Sequence, residues 1–254
     1  IFFRGPKSGM WASVWLFALL QILALVRGIK PRAKPPRPLR PAAVGPRVRL
    51  EFGAFLEKQN CSVGIEVGVQ NCNFARWLLQ RWPACRQYVV VDLWAQQSNY
   101  LDRANVDNRI QEERYQRAMS NVKDWEDKVV VCRNYSTVCS ERFPDAYFDF
   151  VYLDARHDYK GVAADIAAYW PKVRPGGVFA GHDYVDPAWV KSVTGQDWLV
   201  NYDGTVDESG RALKGAVDDF AARVHLPLWV TKERWASWMV RKPRDREGLA
   251  VDKG

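Results

Sequence analysis

Apolar and polar positions fall into alternating blocks along residues 50–242. Short apolar runs stop abruptly at acidic, Gly or His positions, and amphipathic stretches of helical period lie between them. The pattern predicts helices over Leu50–Lys58, Phe74–Trp82, Asn105–Val122, Ser136–Phe143, Lys160–Trp170 and Ala212–Val224. It predicts strands over Ser62–Val67, Gln87–Val91, Lys128–Cys132, Phe148–Leu153 and Val178–Gly181, with a terminal strand pair at Pro227–Thr231 and Trp235–Val240. Pro175-Gly176-Gly177 reads as a tight turn. Residues 195–210, with Asp203-Gly204, read as a long loop of the kind that covers sites. Strand and helix in alternation imply an α/β fold. The expected form is a doubly wound, mostly parallel sheet with a C-terminal antiparallel strand pair.

In such a sheet ligands bind outside the carboxyl ends of the strands. The residues expected on that rim are Glu66 and Gly68, Asp92, then Asp154, His157 and Asp158, and finally His182 and Asp183. Gly68 permits a sharp turn and close approach of a ligand. Glu66 can accept from a ligand amine or hydroxyl. Asp92 is placed to accept both hydroxyls of a ribose. The second and third glycines of a dinucleotide fingerprint do not follow Gly68, which disfavours a pyrophosphate and an NAD-type reading. His157 suits a general base near neutral pH, with Asp158 orienting it, acting as base, or capping the following helix. A group of tryptophans late in the chain, including Trp198 and Trp235, is expected mainly in packing, with a substrate pocket as the alternative.

The rest of the chain adds a different picture. Residues 1–10 form an undefined leader, and the first residue is Ile rather than Met. Residues 11–26 are uncharged and apolar, slightly short of the roughly 17 to 25 residues of a spanning helix. They are expected to be a membrane anchor, or a targeting signal for an organelle. The basic flank that follows would keep the domain on the cytoplasmic side. Residues 27–49 form a Pro- and Arg-rich linker in which no packed structure is expected, and 243–254 a polar tail. The net charge of +8 is concentrated in residues 1–50, which hold ten Lys or Arg and no acid. The remainder carries 27 basic against 29 acidic residues, so a nucleic-acid partner is not expected. Five cysteines, odd in number and without a CxxC pair, are expected to be reduced. Two Asn-x-Ser sequons lie at Asn60 and Asn134, and a glycan on the second would block the expected ligand site.

Several local patterns stand in order: GIEVGV, VVVDLW, NYLDRANV, FDFVYLDARHDY, RPGGVFAGHDY, GAVDDFA and VTKERWASWMVRK. Together they resemble the class I S-adenosylmethionine-dependent methyltransferases, a Rossmann-like fold, and within them a small-molecule group with a GHDY-type motif after the fifth strand. The resemblance covers residues 50–242, a methyltransferase-like domain. It implies that Glu66 and Gly68 hold the methionine part of S-adenosylmethionine and Asp92 the ribose. Leu93, Trp94 and Ser136 would lie beside the adenine, and Asp154 near the cofactor. Cys72 stands where the family usually has another glycine and would narrow the loop. The resemblance also implies a divalent ion, Mg, Mn or Zn, on Asp154, His182 and Asp183, with a metal-free pairing of His182 and Asp183 as the alternative. The expected activity is O-methylation of a small molecule or sugar. The competing reading is a non-catalytic, membrane-tethered domain that keeps the fold.

Overall fold

A computed structural model describes residues 45–244. The apolar segment 11–26, most of the linker and the end of the tail lie outside the described residues. Among the described residues no helix is long and apolar enough to cross a membrane.

Seven strands form one sheet: β1 Val63–Val67, β2 Gln87–Asp92, β3 Val129–Arg133, β4 Phe148–Leu153, β5 Val173–Gly181, β6 Trp229–Val230 and β7 Trp238–Arg241. Their order is β3-β2-β1-β4-β5-β7-β6. β1 to β5 run parallel, and β7 pairs antiparallel with both β5 and β6. The central strands β1 and β4 are buried at every position, as their unbroken apolar runs require in a sheet covered on both faces. The helices are α1 Phe52–Lys58, α2 Asn73–Gln80, α3 Asn108–Val122, α4 Ser136–Ser140, α5 Tyr159–Tyr169, α6 Pro187–Thr194 and α7 Ala212–Val224. α2 turns Phe74, Ala75, Leu78 and Leu79 inward. These join Phe52, Trp82, Tyr88 and Phe150 in the main core.

Register aligns the strand ends. Cys132, Val91, Val67, Leu153 and Gly181 are successive partners across the sheet. The next residue of each strand therefore falls on one rim: Arg133, Asp92, Gly68, Asp154 and His182. Chain direction across the sheet reverses between β1 and β4, where a parallel sheet opens its crevice.

Three expectations need correction, and one helix was not expected. Pro175-Gly176-Gly177 is no turn but part of β5. There β4 advances from Phe148 to Phe150 while β5 advances from Val173 to Val178, so the extra residues bulge. A Cβ on Gly177 would come within 2.7 Å of Val173. The segment 187–194 is helical: Asp186 accepts from Ala188 and Trp189, Pro187 starts the turn, and Gly195 ends it at φ 76°. Residues 45–49 are not loose linker. Trp229 donates to the Pro46 carbonyl, Lys232 to that of Arg47, and the Arg49 amide to Glu233 at 2.5 Å. Finally, Cys132 and Cys139 form a disulfide, whereas Cys61, Cys72 and Cys85 are buried thiols. The pair escaped notice because their seven-residue separation is bridged only once β3 ends and α4 turns back.

Candidate active site

A cleft of about 1190 Å³ runs along the rim from the ends of β2 and β3 to the ends of β4 and β5. At its first end the β1–α2 loop passes over Gly68 at φ 88°. A Cβ there would lie 2.0 Å from the Asp154 carbonyl oxygen, so only glycine fits. Asp92 accepts from the amides of Gln70 at 2.8 Å and Trp94 at 2.9 Å, which shapes the loop around the carboxylate. Burial raises its pKa against those hydrogen bonds. Glu66 is buried beneath the cleft and accepts from the Tyr88 hydroxyl at 3.1 Å. Burial pushes its carboxyl up to about 8. A ligand ammonium would restore its charge. The first turn of α2 borders the cleft with no side-chain cap, which favours an anionic ligand group.

Leu93 and Ser136 line the cleft as expected, and the Ser136 hydroxyl donates to buried Asp165, whose pKa burial raises to about 7. Trp94 does not line it. Its indole is 1% exposed, packs on Tyr115 and donates to the Gln70 carbonyl, so it supports the loop from behind. Cys72 also turns away from the cleft into the core, fully buried at φ 56°. The expected narrowing by its Cβ therefore does not occur.

The other end of the cleft is a network of charges. Asp154 follows β4, and His182 and Asp183 follow β5. One ligand atom from each lies within 4.8 Å of the others. His182 Nδ1 is 2.9 Å from Asp183 Oδ1. Arg49, which sequence reasoning missed, reaches in from the segment before α1. Its Nη2 donates to Asp154 Oδ2 at 2.6 Å and its Nη1 lies 3.3 Å from His182 Nδ1. The guanidinium stacks over Phe74 at 4.3 Å and Tyr152 at 5.2 Å. His157 sits between two acids, with Nδ1 3.0 Å from Asp102 and Nε2 3.2 Å from Asp183. Its ring stacks on Trp198 at 4.4 Å, and the Trp198 indole donates to the same Asp102 oxygen. Trp198 and Trp235 line the cleft, the alternative to pure packing, and Asp102, which was not singled out from the sequence, lines it with them.

This environment changes the role open to His157. Burial opposes its charged form, but Tyr100 and the carboxylates of Asp102, Asp154 and Asp183 outweigh it and lift the pKa well above 6.5. The surrounding acids thus favour the charged, donating form of the ring over the general-base form expected from its position. Asp158, read from the sequence as catalytic partner, base or helix cap, takes the cap position. It is 1% exposed, lies behind the cleft, accepts from the Gly161 and Tyr202 amides, and holds Arg156 at 2.5 Å.

Residues 65–184 match the family described as "Methyltransferase domain". No curated protein matches the chain. Among solved structures it resembles the O-methyltransferase from Bacillus cereus in complex with SAH. Identity is 18%, covering 93% of this chain and 92% of that one, at a TM-score of 0.54. It also resembles a cofactor-bound protein from MTB, at 14% identity over 95% of this chain and 100% of the other, TM-score 0.54. An O-methyltransferase family protein from Burkholderia thailandensis matches at 15% identity over 78% and 55%, TM-score 0.52. Residues 65–184 therefore carry a methyltransferase domain, and the chain shares the fold of these O-methyltransferase structures, with the glycine turn and the two rim acids Glu66 and Asp92 inside the matched segment.

Proposed function

We propose that this chain transfers a methyl group from S-adenosylmethionine to an oxygen of a small-molecule acceptor. The observation that carries this reading is the single cleft that holds Glu66, Gly68 and Asp92 at one end and Asp154, His157, His182 and Asp183 at the other. S-adenosylmethionine supplies a methyl on a sulfonium, which a hydroxyl can attack in line. Asp92 would accept from the ribose, Glu66 would meet the ammonium, and Leu93 and Ser136 would border the adenine. Asp154 Oδ1 lies 3.8 Å from His182 and 3.9 Å from His157, beyond hydrogen-bond reach of both. It is the carboxylate oxygen best placed to accept a hydrogen bond, and then the proton, from the acceptor hydroxyl. His157 donates and orients. Trp198 and Trp235 would wall the acceptor. Holding nucleophile and methyl in line supplies much of the acceleration. The divalent ion is no part of this reading, because Arg49 lies against two of its three ligands.

Calorimetric titration of the full chain with S-adenosylhomocysteine tests the reading: saturable binding is expected, and its absence rejects it. A screen of hydroxylated small molecules for methyl transfer then separates an enzyme from a non-catalytic domain. A loop narrowed by Cys72 would have favoured the non-catalytic domain, but Cys72 faces the core. The Cys132–Cys139 pair supports a domain that folds in an oxidising compartment rather than facing the cytoplasm. Thiol counting on denatured, unreduced protein checks it; five reactive thiols would count against that placement.

A further inference from the structure

A divalent ion needs carboxylate and imidazole lone pairs that are free to converge on it. Asp154, His182 and Asp183 have the right atoms within 4.8 Å of one another. Two side chains, Arg49 and His157, already lie against those atoms. The Arg49 guanidinium takes Asp154 Oδ2 at 2.6 Å and faces His182 Nδ1 at 3.3 Å. That nitrogen is the one 2.9 Å from Asp183 Oδ1, and Asp183 Oδ2 in turn lies 3.2 Å from His157. An ion bound at the trio would stand against a guanidinium that cannot give up its charge.

Arg49 is not a surface side chain resting there by chance. Its side chain is 21% exposed, and its plane lies over the rings of Phe74 and Tyr152. Its backbone amide donates to Glu233, and the residues before it are tied to Trp229 and Lys232. Moving the guanidinium away would break a charge-assisted hydrogen bond and two ring contacts, and would leave Asp154 a partly buried carboxylate without its cation.

We propose that Arg49 stands in the place of the divalent metal: it is the fixed cation of the acceptor subsite, and methyl transfer by this chain is metal-independent. The inference rests on the methyltransferase reading for its chemistry but not for its test. The fork-shaped guanidinium can hold an acceptor oxygen against Asp154 and balance charge there as the proton leaves. Acceptors should therefore be hydroxyl compounds whose oxygen pairs with a planar donor, without the chelating geometry that a metal demands.

The test is Mn²⁺ binding to the full chain, read by electron paramagnetic resonance of the free ion. The wild-type chain should bind no Mn²⁺ at this trio. Arg49→Ala should open it and tighten Mn²⁺ binding by about tenfold or more once the repulsion is gone. Arg49→Lys, which keeps a charge, should stay closed, and Asp154→Asn added to Arg49→Ala should abolish the gain. A wild-type site that binds Mn²⁺ and loses it on Asp154→Asn overturns the proposal. Binding by neither wild type nor Arg49→Ala overturns the assignment of Arg49 to the metal's place. S-adenosylhomocysteine titration of the same samples keeps the two readings apart. Retained binding shows that the variants are folded at the cofactor end, and loss in every sample rejects the methyltransferase reading alone. With an acceptor in hand, turnover should be unchanged by a chelator.

Discussion

At the β1–β2 end of the cleft, Asp92 takes its hydrogen bonds from Trp94 and Gln70, only 2 and 22 positions away. At the β4–β5 end, Asp154 meets Arg49 across 105 positions, and Asp102 meets His157 across 55 and Trp198 across 96. The first end is built from backbone amides and buried carboxyls, of which burial pushes Glu66 up to about 8. The second is built from opposed full charges. A backbone-made site is specified by short local runs, because a strand end, a glycine and an acid suffice. A charge network is specified only by where distant segments land. The first end should therefore fail through conformation and the second through electrostatics.

The largest effect should follow Gly68→Ala, where a Cβ would meet the Asp154 carbonyl at 2.0 Å on backbone at φ 88°. A loss on the order of 3 kcal/mol in denaturant unfolding is expected, with cofactor binding abolished. Wild-type stability would mean that the two ends do not touch as described. Next, Asp92→Ala should weaken S-adenosylhomocysteine binding about 100-fold, through two lost hydroxyl contacts and a loosened loop. Calorimetry showing a smaller drop than Asp102→Asn would reverse the comparison.

Opening the Cys132–Cys139 bridge with a double Ser variant should cost about 2 kcal/mol of stability, as expected for a short closed loop. Fluorescence-monitored unfolding reads it. Asp102→Asn keeps an acceptor for Trp198 but removes the charge facing His157. It should lower kcat on the order of 10-fold with cofactor affinity unchanged, since Asp102 positions the ring rather than touching the cofactor. Equal losses in both would make Asp102 merely structural.

The smallest effect is a pH dependence. The Glu66 carboxyl rises from 4.5 to about 8 in the folded chain. Between those values the unfolded chain gives up this proton and the folded chain keeps it. Stability from this group is therefore full below about 4.5, falls as pH rises, and levels off above about 8. Cofactor ammonium binding runs the opposite way: it requires the ionised form, so affinity should increase from pH 6 to 8 and then flatten. Glu66→Gln should remove that slope. Calorimetry at three pH values decides it, and an unchanged slope in the variant would separate Glu66 from the ammonium.

Much of the fold was legible because local physics and tertiary structure agree. Phe148–Leu153 and Ala212–Val224 appear as the pattern predicts, since an unbroken apolar run and an amphipathic period each admit one environment. The α6 helix was legible in principle from Asp186-Pro187 and Gly195, but eight residues give a weak periodic signal. The β5 bulge was misread because Pro-Gly-Gly marks an irregular backbone without saying whether the chain reverses. Glu66, Gly68 and Asp92 were readable as strand ends. Trp94 and Asp158 stand at the same rim by number, yet their side chains point behind it, and number alone does not give direction.

The sequence by itself determined the alternation of strand and helix, the rim on which acids and imidazoles collect, and the glycine that lets the first loop cross β4. Those follow from periodicity and from backbone sterics, which act over a few residues. Only the tertiary structure decided that a guanidinium from before the first helix lies on Asp154, that His157 lies between two acids, and that Cys132 finds Cys139. Charge pairing and side-chain direction depend on which segments the sheet order brings together, and that order is settled by packing across the whole domain.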